Sequence, residues 1–224
     1  MKTSSTPNTA IQIHRGGLDY PPRLYDLYDP PATLYIYGDM QLLKMPMIAI
    51  VGSRNASPAG LKNARLFAKA LSNAGLLTIS GLAKGVDSAA HQATLELGPK
   101  HATAAVLGTG IDLIYPRQNI ELSNAIGQQG LLVSEFGFGV GPKAFHFPRR
   151  NRIIAALALG VVVVEAAEKS GSLITARLAA DLGREVFALP GPIHSNNSAG
   201  CHLLIQQGAK LAFRPNDVLE EIRF

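Results

Sequence analysis

From Met47 onward, short β-branched apolar runs are followed by glycine-rich turns, and these by segments with helical spacing. The apolar runs fall at residues 47–51, 76–80, 104–107, 131–133, 161–164 and 185–189. Between them the spacing predicts helices over 58–73, 87–97, 118–128 and 150–159, and from the 169–172 turn to Leu182, with Pro58 suited to a first helical turn. The runs are continuously apolar rather than alternating, as parallel strands covered on both faces must be. Strand alternating with helix at this spacing predicts βαβ units. The fold class is therefore α/β, with a doubly wound, mostly parallel, Rossmann-like sheet and helices on both faces. Upstream, residues 18–38 are rich in Pro and Tyr and hold one short apolar run, 34–37, which fits an added edge strand. Residues 18–224 are expected to form one domain and residues 1–17 to be poorly ordered.

Composition narrows the classes. Of 224 residues, 47% are hydrophobic and 17% charged, which excludes a disordered or acidic chain and predicts a sizeable core. The longest uncharged apolar stretch, 153–164, is 12 residues long and interrupted by Gly160, against the roughly 18 to 20 needed to span a bilayer. The first ten residues are Ser/Thr/Pro-rich and lack the apolar centre of a secretory signal. The single cysteine, Cys201, rules out an intrachain disulfide or a multi-cysteine zinc site. A cytoplasmic location is expected. The net charge of +5 is too small to identify a polyanionic partner by itself.

Loops leaving the carboxyl ends of parallel strands share one side of the sheet, where ligands bind. Here they carry Gly52-Ser53-Arg54, Ser80-Gly81, Gly108-Thr109-Gly110 and Ser170-Gly171-Ser172. Glycines let backbone amides approach an anion, and each following helix N-terminus adds partial positive charge. One such loop is merely a turn; four together favour a phosphate-binding rim. The G-x-x-x-x-G-K-[ST] pattern is missing from the sequence, and Gly108 to Leu113 lacks the third glycine of a dinucleotide fingerprint. No cofactor is expected.

The densest charge lies in residues 143–152, where Lys143, Arg149, Arg150 and Arg152 occur with no acid and with Phe145 and Phe147 interleaved. Cations neutralise phosphates while exposed rings stack on unpaired bases, a composition suited to single-stranded nucleic acid. The competing account has the phenylalanines anchoring a loop and the arginines paired to distant acids. Asp87 and His91 share a helix face and fit a helix-start residue and a packing residue better than a catalytic pair. Glu165 and Glu168 follow an apolar run and fit turn capping. His194 and His202 flank Cys201 but fall short of a four-ligand zinc set, so no metal is expected.

Five strings together resemble the DprA/Smf family, the bacterial DNA-processing proteins of natural transformation. They are Ile50 to Arg54, Ser80 to His91, Val106 to Pro116, Phe147 to Ala155 and Lys169 to Ala176, in family order along about residues 20–212. The resemblance implies a cytoplasmic protein that binds incoming single-stranded DNA without strong sequence preference, protects it, helps load the recombinase RecA, and has no established catalytic turnover. Carried onto matching positions, it implies a DNA site of Gly52, Ser53, Arg54, Ser80, Gly81, Lys84, Lys143, Phe145, Arg149, Asn151, Arg152, Ser170, Gly171 and Ser172. It also implies a homodimer, with Leu203, Leu204 and Ile205 near the contact surface. Family members commonly add a small helical domain before this one and a winged-helix-like domain after it, and 224 residues leave no room for either.

An enzyme that cleaves the glycosidic bond of a nucleoside monophosphate would suit the same rim. Distantly similar phosphoribohydrolases do so with a Pro-Gly-Gly-x-Gly-Thr loop and a following glutamate, which Pro190-Gly191-Pro192 does not supply.

Overall fold

The computed structural model describes residues 10–223. In chain order the elements are β1 (Ile11–His14), β2 (Thr33–Gly38), β3 (Met47–Val51), α1 (Pro58–Asn73), β4 (Leu77–Ser80), α2 (Val86–Leu95), β5 (Thr103–Val106), α3 (Ile120–Gln129), β6 (Leu131–Ser134), α4 (His146–Leu157), β7 (Gly160–Val163), α5 (Gly171–Asp181), β8 (Glu185–Ala188), α6 (Asn196–Gln206), β9 (Lys210–Leu211) and α7 (Asn216–Leu219). One sheet takes the order β1-β2-β6-β5-β4-β3-β7-β8-β9. Strands β3 to β9 are parallel; at one side β2 runs antiparallel to β6, and β1 runs antiparallel to β2. The predicted α/β, mostly parallel, doubly wound architecture is the observed one.

The β3-to-β7 strands are buried at every position, which explains their continuous apolarity. Successive β3 side chains serve opposite faces. Met47, Ala49 and Val51 join the core under α4 and α5, with Ile153, Ile154 and Leu173. Ile48 and Ile50 join the core under α1 and α2, with Phe67, Leu71 and Ala90. From β3 the chain winds outward through β4, β5 and β6, then returns to pair β7 with β3 on the other side. The topological switch point lies between β3 and β7, and the crevice of such a sheet opens there.

Two expectations are corrected. Residues 1–17 were expected to be poorly ordered, yet Ile11 to His14 pair with Thr33 to Ile36, and Ile13 is buried in the core; residues 1–9 lie outside the described residues. The run 34–37 is therefore the second strand rather than the edge. Helix α4 starts at His146 instead of Arg150, because its first turn is held by tertiary contacts. The His146 ring stacks on Phe136 at 4.2 Å between centroids, and its Nδ1 lies 3.2 Å from the Gly108 carbonyl oxygen. Pro148 falls within that first turn, where its missing N–H costs no helical bond.

Candidate functional site

At the switch point lies a cleft of about 870 Å³. One wall is the turn after β3, Gly52 to Asn55; the opposite wall is the turn after β7 and the start of α5, Lys169 to Thr175. The third side comes from the loop before α4, with Lys143, and from α4 itself, with Phe147 and Asn151. The cleft is built by bringing together three separate chain segments, 52–55, 143–151 and 169–175.

Each wall is fixed locally. Ser53 Oγ accepts from the Asn55 amide at 3.1 Å, and Ser170 caps α5 by accepting from the Ser172 amide at 3.3 Å. Gly85 sits at φ +75°, and a Cβ there would lie 2.3 Å from the Ser53 carbonyl oxygen. Only glycine permits so close an approach of the β3 and β4 turns. Glu165 closes the β7 end by accepting from Ser57 N at 2.9 Å and Ser57 Oγ at 2.5 Å, at the start of α1. It is a capping residue, as the sequence led one to expect.

Behind the cleft lie two buried groups of opposite charge, Arg150 and Asp87, each held by main-chain partners of its own. Arg150, 4% exposed, donates from Nη1 to the Gly81 carbonyl at 2.6 Å and to that of Val106, and from Nε to Asn151 Oδ1 at 3.1 Å. Burial lowers its pKa to about 10, Asp87 opposing that shift and Arg54 adding to it. Asp87 accepts from the Gly81 and Ala83 amides at 3.1 and 3.3 Å. Burial pushes its carboxyl up, while Arg150 and these amides pull it back. The pair joins the ends of β4 and β5 to α4, and the Arg150 bond orients the Asn151 amide beside the cleft.

His91 is fully buried, with Nδ1 2.8 Å from Thr103 Oγ1 and Nε2 without a hydrogen-bond partner among the described residues. Burial, reinforced by Arg150, lowers its pKa to about 3. The folded state therefore excludes a proton that the unfolded chain binds near pH 6.5, and stability falls as pH drops from 6.5 toward 3. This group alone is expected to remove about 2 kcal/mol between pH 6.5 and 5. In thermal melts over that range, His91→Gln should flatten the pH slope.

The predicted site residues divide into two groups. Gly52, Ser53, Arg54, Lys143, Asn151, Ser170, Gly171 and Ser172 line the cleft, and Gly81 and Lys84 line an adjoining recess. Ser80, Phe145, Arg149 and Arg152 line neither. Ser80 is buried and donates to the Ile50 carbonyl at 2.6 Å, tying β4 to β3. Phe145 is 64% exposed outside the cleft, with Lys143 Nζ 5.9 Å from its ring centroid. Arg149 and Arg152 both pair with Glu135, at 3.1 and 2.5 Å, and Arg152 also donates to the Asp29 carbonyl at 2.7 Å. They clamp the chain before β2 onto α4, the distant pairing that the sequence left open. Of the expected dimer residues, Leu204 is turned into the protomer's own core and Ile205 packs against it, while Leu203 is half-buried.

Sequence reasoning passed over Phe147, Tyr115, Lys169 and Arg150 as site members. Phe147 is central: the Arg54 guanidinium lies 5.6 Å from its ring centroid, and the Tyr115 ring lies 5.4 Å from it. Gly108 makes room for that ring, since a Cβ there would sit 2.8 Å from Phe147 Cδ1. The Lys143–Arg152 composition named this phenylalanine but not which of the two would face the cleft. Four exposed cations around the cleft and recess, Arg54, Lys84, Lys143 and Lys169, have no carboxylate partner among the described residues. Cations without carboxylate partners among the described residues, set beside the Phe147 and Tyr115 rings and the serine–glycine turns, give the cleft a chemistry suited to a phosphorylated aromatic group.

The family model for DNA recombination-mediator protein A matches residues 12–223. The chain belongs to that family. This recombination-mediator family member is 50% identical over 205 residues to the DNA processing protein DprA of Streptococcus pneumoniae, covering 92% of the chain and 72% of that relative. It is 48% identical to Protein Smf of Escherichia coli, covering 92% of the chain and 54% of the relative. The solved S. pneumoniae DprA structure superposes with TM-score 0.92 at 47% identity, covering 97% of this chain and 76% of that one. A Helicobacter pylori DNA processing protein A structure, solved for its single-stranded DNA binding mode, superposes with TM-score 0.87 at 32% identity over the whole of both chains. A molybdenum cofactor binding protein of Rippkaea orientalis, at TM-score 0.56 and 19% identity, shares the fold alone, with 79% of this chain and 94% of that one covered. Among the described residues no helix is long and apolar enough to cross a membrane, and no cluster of three metal-ligating side chains occurs.

Proposed function

We propose that this chain binds single-stranded DNA without strong sequence preference in the switch-point cleft, protects it and helps load RecA onto it for recombination during natural transformation. The observation that carries this reading is the set of four cations without carboxylate partners, placed beside serine and glycine turns and the Phe147 ring. The H. pylori relative, described for its single-stranded DNA binding mode, supports the ligand class. The protein acts in the cytoplasm as a homodimer, with Leu203 and Ile205 on the α6 side as contact candidates.

Binding without turnover fits Asp87 in the cleft and Glu165 beside it. Asp87 is enclosed by amides and Arg150, and Glu165 is engaged by Ser57, so neither is free to act as base or nucleophile. Incubation with AMP should release no free base, and sustained release would turn the reading toward a glycosidic-bond hydrolase. The direct test is an anisotropy titration of labelled oligo-dT across salt concentrations. Four phosphate contacts predict a log–log slope of about −3, at roughly 0.7 per phosphate for single strands. A slope near zero, or equal affinity for duplex, would remove the proposal.

A further inference from the structure

Beyond Phe147 the cleft continues into a recess of about 60 Å³ lined by Arg54, Lys84, Tyr115, Pro116 and Phe147, with Arg150 at its floor. Arg54 and Phe147 line both spaces, so their cation–ring contact forms the shared wall. Tyr115 packs one side of its ring on Phe147 and leaves 46% of its surface exposed. Lys84 is exposed and has no carboxylate partner among the described residues.

The backbone beneath the recess is held rigidly. Leu82 adopts φ +56°, a left-handed conformation that a bulky residue keeps only under constraint. Asn119 supplies it by donating from Nδ2 to the Leu82 carbonyl at 2.8 Å, while Asp87 draws in the Ala83 amide. The turn carrying Lys84 is thus fixed relative to Tyr115 before any ligand arrives.

We propose that this recess is a second nucleotide subsite, in which one unpaired base stacks on Tyr115 and its phosphodiester is held by Lys84 together with Arg54. The proposal rests on the single-stranded DNA reading and deepens it. Because Arg54 lines both spaces, it bridges two phosphates of one strand, which favours a continuous chain over isolated anions. A base inside a duplex has its faces covered by neighbouring pairs and cannot stack on Tyr115, so the subsite selects unpaired strands. Every base has a π face, so the contact tolerates any sequence.

The test compares wild type, Tyr115→Ala, Tyr115→Phe, Lys84→Ala and Arg54→Ala/Lys143→Ala on two labelled probes: oligo-dT of about 12 nucleotides, and an abasic strand of the same length. Tyr115→Ala should lower oligo-dT affinity about tenfold and leave abasic affinity unchanged, while Tyr115→Phe restores it. Lys84→Ala should weaken both probes and reduce the salt slope by about 0.7. The proposal is overturned if Tyr115→Ala weakens both probes equally, or if Tyr115→Ala and Lys84→Ala both bind like wild type. If Tyr115→Ala does not fold, the exposed Lys84→Ala decides alone, an unchanged slope overturning the subsite. Loss of binding in Arg54→Ala/Lys143→Ala alone removes the subsite but keeps the main cleft; full binding in that variant removes both.

Discussion

Arg150→Met should lower the melting temperature by about 10 °C and abolish binding of oligo-dT. Arg150 is 4% exposed, and its guanidinium is shared among the Gly81 and Val106 carbonyls, Asn151 and the field of Asp87. Removing the guanidinium leaves the Gly81 and Val106 carbonyls without their donor and the buried Asp87 without a nearby positive charge, at about 3–5 kcal/mol in all. For a chain of this size each kcal/mol shifts the melting temperature by roughly 2–4 °C. Two strand ends lose their anchor, and both flank the cleft and its recess. Adding Asp87→Asn to Arg150→Met should restore part of the stability, because the buried carboxylate is gone, yet restore little binding, because the Gly81 and Val106 carbonyls and the Asn151 amide oxygen still lack the guanidinium. An unchanged melting temperature in Arg150→Met would show that the pair does not hold these elements.

Arg54→Ala combined with Lys143→Ala should weaken oligo-dT binding about 100-fold near physiological salt with little loss of stability. Both side chains are exposed and neither enters an ion pair among the described residues, and their cation–ring contacts with Phe147 and Phe145 are worth about 1 kcal/mol or less each, so stability should change little. A hydrogen bond to a charged group contributes about 1.5 kcal/mol or more, and each 1.4 kcal/mol is tenfold in affinity. Losing two phosphate contacts should also reduce the salt slope by about 1.4. Arg149→Ala is the contrasting control, because its guanidinium is occupied by Glu135. Equal weakening by Arg149→Ala would move the interface away from the cleft.

The strand and helix order was legible because the parallel strands are buried on both faces, so each is a solid apolar run that no loop imitates. The Gly-Ser turns were legible as well, since a parallel sheet puts every such turn at one end. Which cations face the ligand was not. Lys143, Arg149, Arg150 and Arg152 look alike in sequence, and their fates were decided by tertiary partners: Glu135 for two, the Gly81 and Val106 carbonyls for a third, and for Lys143 no carboxylate among the described residues. The same holds for Phe145 and Phe147, two residues apart at the start of one helix. The Phe147 ring is the one that packs into the gap at Gly108 and meets Arg54 and Tyr115. Strand β1 was hidden because its pattern is too short: of Ile11 to His14, only Ile13 is buried.

A crystal structure with a short oligo-dT bound tests the central claim most directly. The account predicts successive phosphates at the Gly52–Arg54 and Ser170–Ser172 turns, with Lys143 and Asn151 within hydrogen-bonding distance of the strand. A strand lying along another surface, with the switch-point cleft empty, would contradict it.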